Sequence, residues 1–248
     1  MRKKRTSLII MIIALIVLLI SAVKFLLIEM EYRKGESEYE EISKAAISID
    51  TDQDEEFRVD FDELMKLNKD VVGWIRFEEP AIINYPIVQG KDNSEYLSIT
   101  FSGYENTVGS IFADARNKDD FTDKHTLIYG HRMNNGTMFN ELDNYKEESY
   151  GKAYPYFYIY TPDGLERKYE IYSTAIVSEL SDVYKASFEN ENEFISFLKE
   201  SKHDAFYDTD VEVSAKDSVV TLSTCTGDRK DERLVVHGVL IETREQGD

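Results

Sequence analysis

Between residues 8 and 28 every position is apolar except Ser21 and Lys24. A helix rises ~1.5 Å per residue, so this stretch spans about 31 Å, close to a bilayer's hydrocarbon core of ~30 Å. The pattern predicts a membrane-spanning helix. Lys24 lies near its distal end, where a long side chain reaches the interface. A cleaved signal peptide is the competing reading, but its apolar core would be only about 7–15 residues. Here the apolar run resumes at Phe25 after Ser21 and Ala22.

Past residue 28 the period changes. Tyr39, Ile42, Ala46 and Ile49 recur at intervals of three and four, which predicts an amphipathic helix. Phe61, Leu64, Met65 and Leu67 predict a second, short one with Asp60 as its N-cap. From Val72 onward the texture is that of strands, short runs rich in Ile, Val, Tyr, Phe and Thr, most of them separated by Gly, Pro, Asn or Asp. Strands are expected at 73–77, 84–88, 109–113, 126–129, 156–160, 168–177, 219–225 and 234–242. Eight short strands imply a closed barrel or a sandwich. Helical patterns interrupt them at 94–97, 137–145 and 189–202. The last lies inside a long insertion, 178–207, between the sixth and seventh strands, and such insertions are often functional. The chain then divides into a tail (1–7), an apolar span (8–28), a helical segment (29–70) and a β domain (71–248).

Charge gives these parts an orientation. Arg2, Lys3, Lys4, Arg5 and Lys24 stand in a head without acids, which leaves 24 of the 29 bases against all 48 acids downstream. Bases flanking an apolar span stay in the cytoplasm, so the acidic body is expected outside the cell. Its negative charge repels phosphates, which argues against a nucleic-acid partner. One cysteine excludes a disulfide framework.

That cysteine is the best candidate for chemistry. Cys225 ends the run Ser-Val-Val-Thr-Leu-Ser-Thr-Cys, and strand alternation puts Val219, Thr221, Ser223 and Cys225 on one face and Val220, Leu222 and Thr224 on the other. After a polar loop, 226–232, Arg233 opens the next strand. If the two strands pair as a hairpin, Arg233 faces Cys225 across its mouth. A guanidinium there favours thiolate and can donate to an oxyanion. A thiol nucleophile also needs a proton carrier. Of four histidines, His131 follows the run Thr-Leu-Ile-Tyr-Gly at a strand end, a position where functional residues concentrate. His125 precedes that strand, His203 follows the insertion helix, and His237 lies in mid-strand. Taken singly, a strand cysteine is more often a buried hydrophobe and a histidine more often structural.

Together the motifs are specific. Thr221-Leu-Ser-Thr-Cys225 with Arg233 on the following strand resembles the signature of sortases, Thr-Leu-x-Thr-Cys plus Arg. His131 in Tyr-Gly-His-Arg-Met resembles the sortase histidine. Asn84-Tyr-Pro-Ile-Val-Gln-Gly-Lys-Asp-Asn-Ser-Glu-Tyr-Leu97 and Gly109-Ser-Ile-Phe-Ala-Asp-Ala-Arg-Asn117 resemble the class B branch, as do the insertion helix and the helical N-terminal segment. The likeness covers residues from about 30 to 242.

The resemblance implies a mainly β fold, an eight-stranded sortase-type barrel with N-terminal helices. It implies a membrane-anchored cysteine transpeptidase on a Gram-positive cell surface. Cys225 would be the nucleophile, His131 the general acid and base, and Arg233 the substrate and oxyanion holder. The partners implied are a surface protein with an Asn-Pro-x-Thr-like sorting signal and an amine of peptidoglycan, of its lipid-linked precursor or of another subunit. Asn93, Leu97, Ser223, Thr224 and Tyr184 are the expected groove residues, with Phe188 a further candidate contact. Their structural readings are a turn or helix cap for Asn93, core for Leu97 and a satisfied strand hydroxyl for Ser223. No metal or cofactor is expected. The acids Asp228, Asp231 and Glu232 either receive an amine or merely solvate their loop. Three other classes compete. A papain-like protease would put its cysteine before its histidine, and an L,D-transpeptidase would show Ser-His-Gly-Cys. A non-catalytic adhesin or sensor ectodomain would bury Cys225.

Overall fold

A computed structural model describes residues 2–50, 56–78, 80, 83–227 and 229–246, with no side chains for 2–6, 49, 50 and 56. The basic cluster Arg2, Lys3, Lys4 and Arg5 therefore lies outside the described side chains, and Asp228 outside the described residues. Helix α1 (Arg2–Ala46) runs unbroken from the tail through the apolar stretch. Side chains from Leu8 to Ile28 on it are exposed, Leu8 by 51% and Phe25 by 68%. That is a candidate membrane span with a mean hydropathy of 3.0 over 18 residues. The distal turns behave differently. Tyr39, Ile42 and Ala46 are buried, on the face their spacing marks.

The helix stops at Ala46, short of the expected Ile49. Ile47–Asp50 forms β1, paired antiparallel with β2 (Glu56–Val59). Ile49 fits the helical spacing, but Ile47-Ser48-Ile49 also alternates as a strand does, and pairing with Phe57-Arg58-Val59 decides between the two. Helix α2 (Phe61–Leu67) follows with Asp60 as its N-cap, the Asp60 carboxylate accepting from the Glu63 amide at 3.0 Å.

The eight expected strands close into a barrel. They are β3 (Val71–Phe77), β4 (Asn84–Val88), β5 (Ile111–Ala113), β6 (His125–Tyr129), β7 (Tyr156–Tyr160), β8 (Leu165–Ser178), β9 (Val219–Cys225) and β10 (Glu232–Glu245). Around the barrel the order is β10-β8-β7-β3-β4-β5-β6-β9. The β4–β5 and β6–β9 pairs are parallel and the rest antiparallel. Helix α3 (Glu148–Ala153) precedes β7, and α4 (Glu191–His203) occupies the insertion between β8 and β9. The helix expected at 137–145 is a 3₁₀ segment, Asn140–Lys146. Met138, with φ of +56°, lies outside it and bridges Arg132 instead.

Two cores explain the site's placement. Val220 and Leu222 join Trp74, Ile87, Ile128 and Phe157 in one. Val219 faces the other way, into a second core with Tyr172, Val183, Phe194, Phe197 and Leu198 under α4. The odd-numbered face of β9, which carries Thr221, Ser223 and Cys225, therefore looks towards the insertion.

Candidate active site

Strand β9 is buried from Val219 to Thr224 and opens to solvent at Cys225. The hairpin register puts Cys225 directly opposite Arg233. His131 follows β6, which runs parallel to β9 with Tyr129 beside Ser223. A cleft of about 300 Å³ is lined by Asn93, Leu97, Phe112, Tyr129, Gly130, His131, Ser223, Thr224, Cys225 and Arg233. Sequence positions 93, 131, 225 and 233 thus meet in one depression.

His131 is held by backbone. Its Nε2 lies 2.6 Å from the Leu97 carbonyl. A carbonyl only accepts, so Nε2 donates and the neutral ring keeps its lone pair on Nδ1. Gly109 makes this approach possible. Its φ is +59°, and a Cβ there would stand 2.7 Å from the Leu97 oxygen and 3.1 Å from the His131 ring.

Arg233 is anchored on three acceptors. One terminal nitrogen donates to the Lys230 and Glu232 carbonyls at 2.7 and 3.0 Å, and the other to Glu179 at 2.8 Å. Among the described residues this leaves two of the guanidinium's five donors for a ligand.

Tyr184, in the segment before α4, does not itself line the cleft but packs on two residues that do. The hydroxyls of Tyr184 and Ser223 share a hydrogen bond at 2.9 Å, and the Tyr184 ring stacks on Tyr129 at 6.4 Å. Burial pushes the Tyr184 phenol up to about 12. Phe188 is placed elsewhere, packed on Phe194 and Phe197 in the second core, so the groove role expected for it is not what its contacts show. Leu97 is 44% exposed at the cleft rather than in the core. Thr224 lines the cleft from β9's inner face, 3% exposed.

Asn93 leads to a centre that the sequence pattern did not reveal. Its amide donates to Asp114 at 2.9 Å and accepts from the Ala115 amide at 2.8 Å. Asp114 is fully buried and also accepts from Tyr129 at 2.8 Å and from both prongs of Arg116 at 2.8 and 2.7 Å. Burial alone would raise this carboxyl. The hydrogen bonds from Arg116 and Tyr129 outweigh that and hold it at about 2. The run Gly109–Asn117 stood out for its resemblance to the class B branch, but nothing in it marked Asp114 as a buried centre. Of the loop acids, Asp231 and Glu232 are paired, Arg229 bridging them at 3.1 and 2.9 Å.

A family model for the sortase domain matches residues 79–241. Sortase B of Staphylococcus aureus is 32% identical over 227 residues, 91% of either chain. The chain belongs to the sortase family, in its class B branch. Sortase B of Listeria monocytogenes is 38% identical over 190 residues, covering 75% of this sortase and 76% of that protein. A crystal structure of S. aureus sortase B superposes with a TM-score of 0.69 at 33% identity, over 73% of this chain and 86% of the other. An S. aureus sortase B–substrate complex gives 0.73 at 29% identity, over 86% and 99%. As a sortase, this protein is a cysteine transpeptidase. Its closed barrel and exposed cysteine set it apart from the papain-like and non-catalytic alternatives.

Proposed function

We propose that this sortase cleaves a C-terminal Asn-Pro-x-Thr-like sorting signal after Thr and transfers the upstream protein to an amine. The observation that carries this reading is the exposed Cys225 facing Arg233 in the cleft that also holds His131. The Cys225 sulfur, its proton held on His131 Nδ1, attacks the Thr carbonyl carbon. The oxyanion takes the donors that Arg233 has left over. As the carbon–nitrogen bond breaks, His131 gives the leaving amine a proton, leaving a thioacyl enzyme. An acceptor amine then loses a proton to His131, attacks the thioester and expels the Cys225 thiolate. Because Nε2 is engaged with Leu97, Nδ1 is the atom that carries the proton.

Asn93, Leu97, Ser223 and Thr224 form the peptide groove in this reading, backed by Tyr184, with Leu97 offering the apolar contact. The acceptor is an amine of peptidoglycan, of its lipid-linked precursor or of another protein subunit. The domain plan follows the same logic: a cytoplasmic tail at 1–7, an anchor at 8–28, a helical and hairpin segment at 29–70, and an extracellular catalytic domain at 71–248. The apolar, exposed span of α1 and the basic residues before it support that orientation. Incubating the protein and its Cys225→Ala variant with an Asn-Pro-Gln-Thr-Asn peptide and an added amine tests the reading. Cysteine-dependent cleavage after Thr is expected. Equal cleavage by both proteins contradicts it.

A further inference from the structure

Three polar side chains lie fully buried beside the site without entering the proposed chemistry: His125 on β6, Thr221 on β9 and His237 on β10. They form one line. His125 Nδ1 is 2.6 Å from the Lys185 carbonyl, His125 Nε2 is 2.7 Å from the Thr221 hydroxyl, and that hydroxyl is 2.7 Å from His237 Nδ1. The carbonyl can only accept, so Nδ1 of His125 carries the proton and Nε2 takes the Thr221 proton. The Thr221 oxygen then accepts from His237 Nδ1. Every donor direction is determined, with both rings neutral. Burial, which pushes His125 down to about 4 and His237 to about 3, keeps them so. His237 Nε2 finds no partner among the described residues.

Such a line is costly to bury unless it is satisfied. What the line holds is at its His125 end, the Lys185 carbonyl. Lys185 follows Tyr184, whose hydroxyl meets Ser223 two residues before Cys225. Arg116 grips the adjacent Tyr184 carbonyl at 3.1 Å. Two neighbouring carbonyls of the segment that backs Ser223 are thus clamped, one by Arg116 and one by His125. The His125 ring is itself packed on Phe197 of α4 at 4.4 Å and on Phe188 at 6.3 Å.

We propose that His237, Thr221 and His125 act as positioning residues for peptide binding, holding the Lys185 carbonyl and so fixing Tyr184 against Ser223. This rests on the reading of the cleft as a peptide groove. Without the Thr221 hydroxyl, the His125 lone pair is stranded, the ring is free to turn, and the segment loosens. The thiol, His131 and Arg233 are untouched.

The test is steady-state kinetics of the full-length protein in detergent with Asn-Pro-Gln-Thr-Asn peptide and an added amine. Thr221→Val keeps the side-chain shape and removes both bonds. Its peptide KM is expected to rise at least fivefold, with kcat and the rate of Cys225 alkylation by iodoacetamide within twofold of wild type. Thr221→Ser restores the hydroxyl and is expected to return KM to within twofold. In a Tyr184→Phe background, Thr221→Val is expected to change KM less than twofold, because both act through the same segment. An unchanged KM in Thr221→Val, a Ser variant as impaired as Val, or additive effects with Tyr184→Phe overturns the proposal. Should Thr221→Val fail to fold, the pair His125→Asn and His125→Leu decides. Asn presents a donor where Nδ1 stood and Leu none, so only Leu should raise KM, and equal KM values overturn the proposal. A wild-type protein without cysteine-dependent turnover would instead refute the groove reading.

Discussion

Exchanging Arg233 for Lys keeps the charge and loses the planar fork. The fork spends three donors on Lys230, Glu232 and Glu179 and keeps two for a ligand. An ammonium has three donors in all and cannot do both. Peptide turnover in Arg233→Lys is expected to fall at least tenfold, and near-normal turnover would contradict the oxyanion role. Glu179→Gln tests the anchor itself. The ion pair is partly exposed, with 25% of the Arg233 side chain and 47% of the Glu179 side chain accessible. Its loss should cost less than about 1 kcal/mol of stability. Turnover is nevertheless expected to drop severalfold as the fork loses its bearing, and an unaltered kcat would show that Arg233 orients without Glu179. Cys225, His131 and Arg233 were legible in the sequence because each sits in a short motif that resembles a known family's. Glu179 was not, since an acid at a strand end says nothing until β8 brings it against β10.

At the scale of elements, Tyr39 ties α1 to the backbone beneath the cleft. The Tyr39 hydroxyl, buried, donates to the Gly109 carbonyl at 2.7 Å and accepts from the Phe101 amide at 3.3 Å. Gly109 is the residue against which the His131 ring packs. Tyr39→Phe leaves a buried carbonyl and a buried amide short of a partner, a cost of about 1–3 kcal/mol. A matching fall in the urea midpoint is expected. A change below ~0.5 kcal/mol would mean that α1 merely leans on the barrel. The spacing of Tyr39, Ile42 and Ala46 marked the packed face correctly, because helix periodicity is local. It could not mark the turn into β1, which depends on β2 arriving to pair. Likewise β5 is shorter than the expected 109–113, since Gly109 is spent on the turn beneath His131.

For the whole molecule, the buried histidines set a pH dependence of stability. Both are neutral in the fold and would bind protons near 6.5 once unfolded, so the unfolded chain takes up protons first. Stability is therefore full above about pH 6.5 and falls as pH drops towards about 4 and 3, the folded values of His125 and His237. Around pH 5 the slope should approach that of two protons, about 2–3 kcal/mol per pH unit. Asp114 acts lower, from the ordinary carboxylate range down to about 2. A urea midpoint flat between pH 6.5 and 4.5 would show that the histidines are not buried neutral. The number of barrel strands followed from periodicity and turn residues, which left barrel and sandwich both open; closure was an expectation from the family resemblance. The order of strands was not legible, because the parallel β4–β5 and β6–β9 pairs join segments that sequence spacing leaves unrelated.

The most direct test of the central claim is intact mass spectrometry of the full-length protein with Asn-Pro-Gln-Thr-Asn peptide. A wild-type protein carrying an acyl adduct on Cys225, which is discharged by an added amine to give a product joined through Thr, is expected. The Cys225→Ala variant should show neither. Cleavage after Thr that persists in Cys225→Ala, or that proceeds without any adduct or amine product, would contradict a thioacyl transpeptidase centred on Cys225.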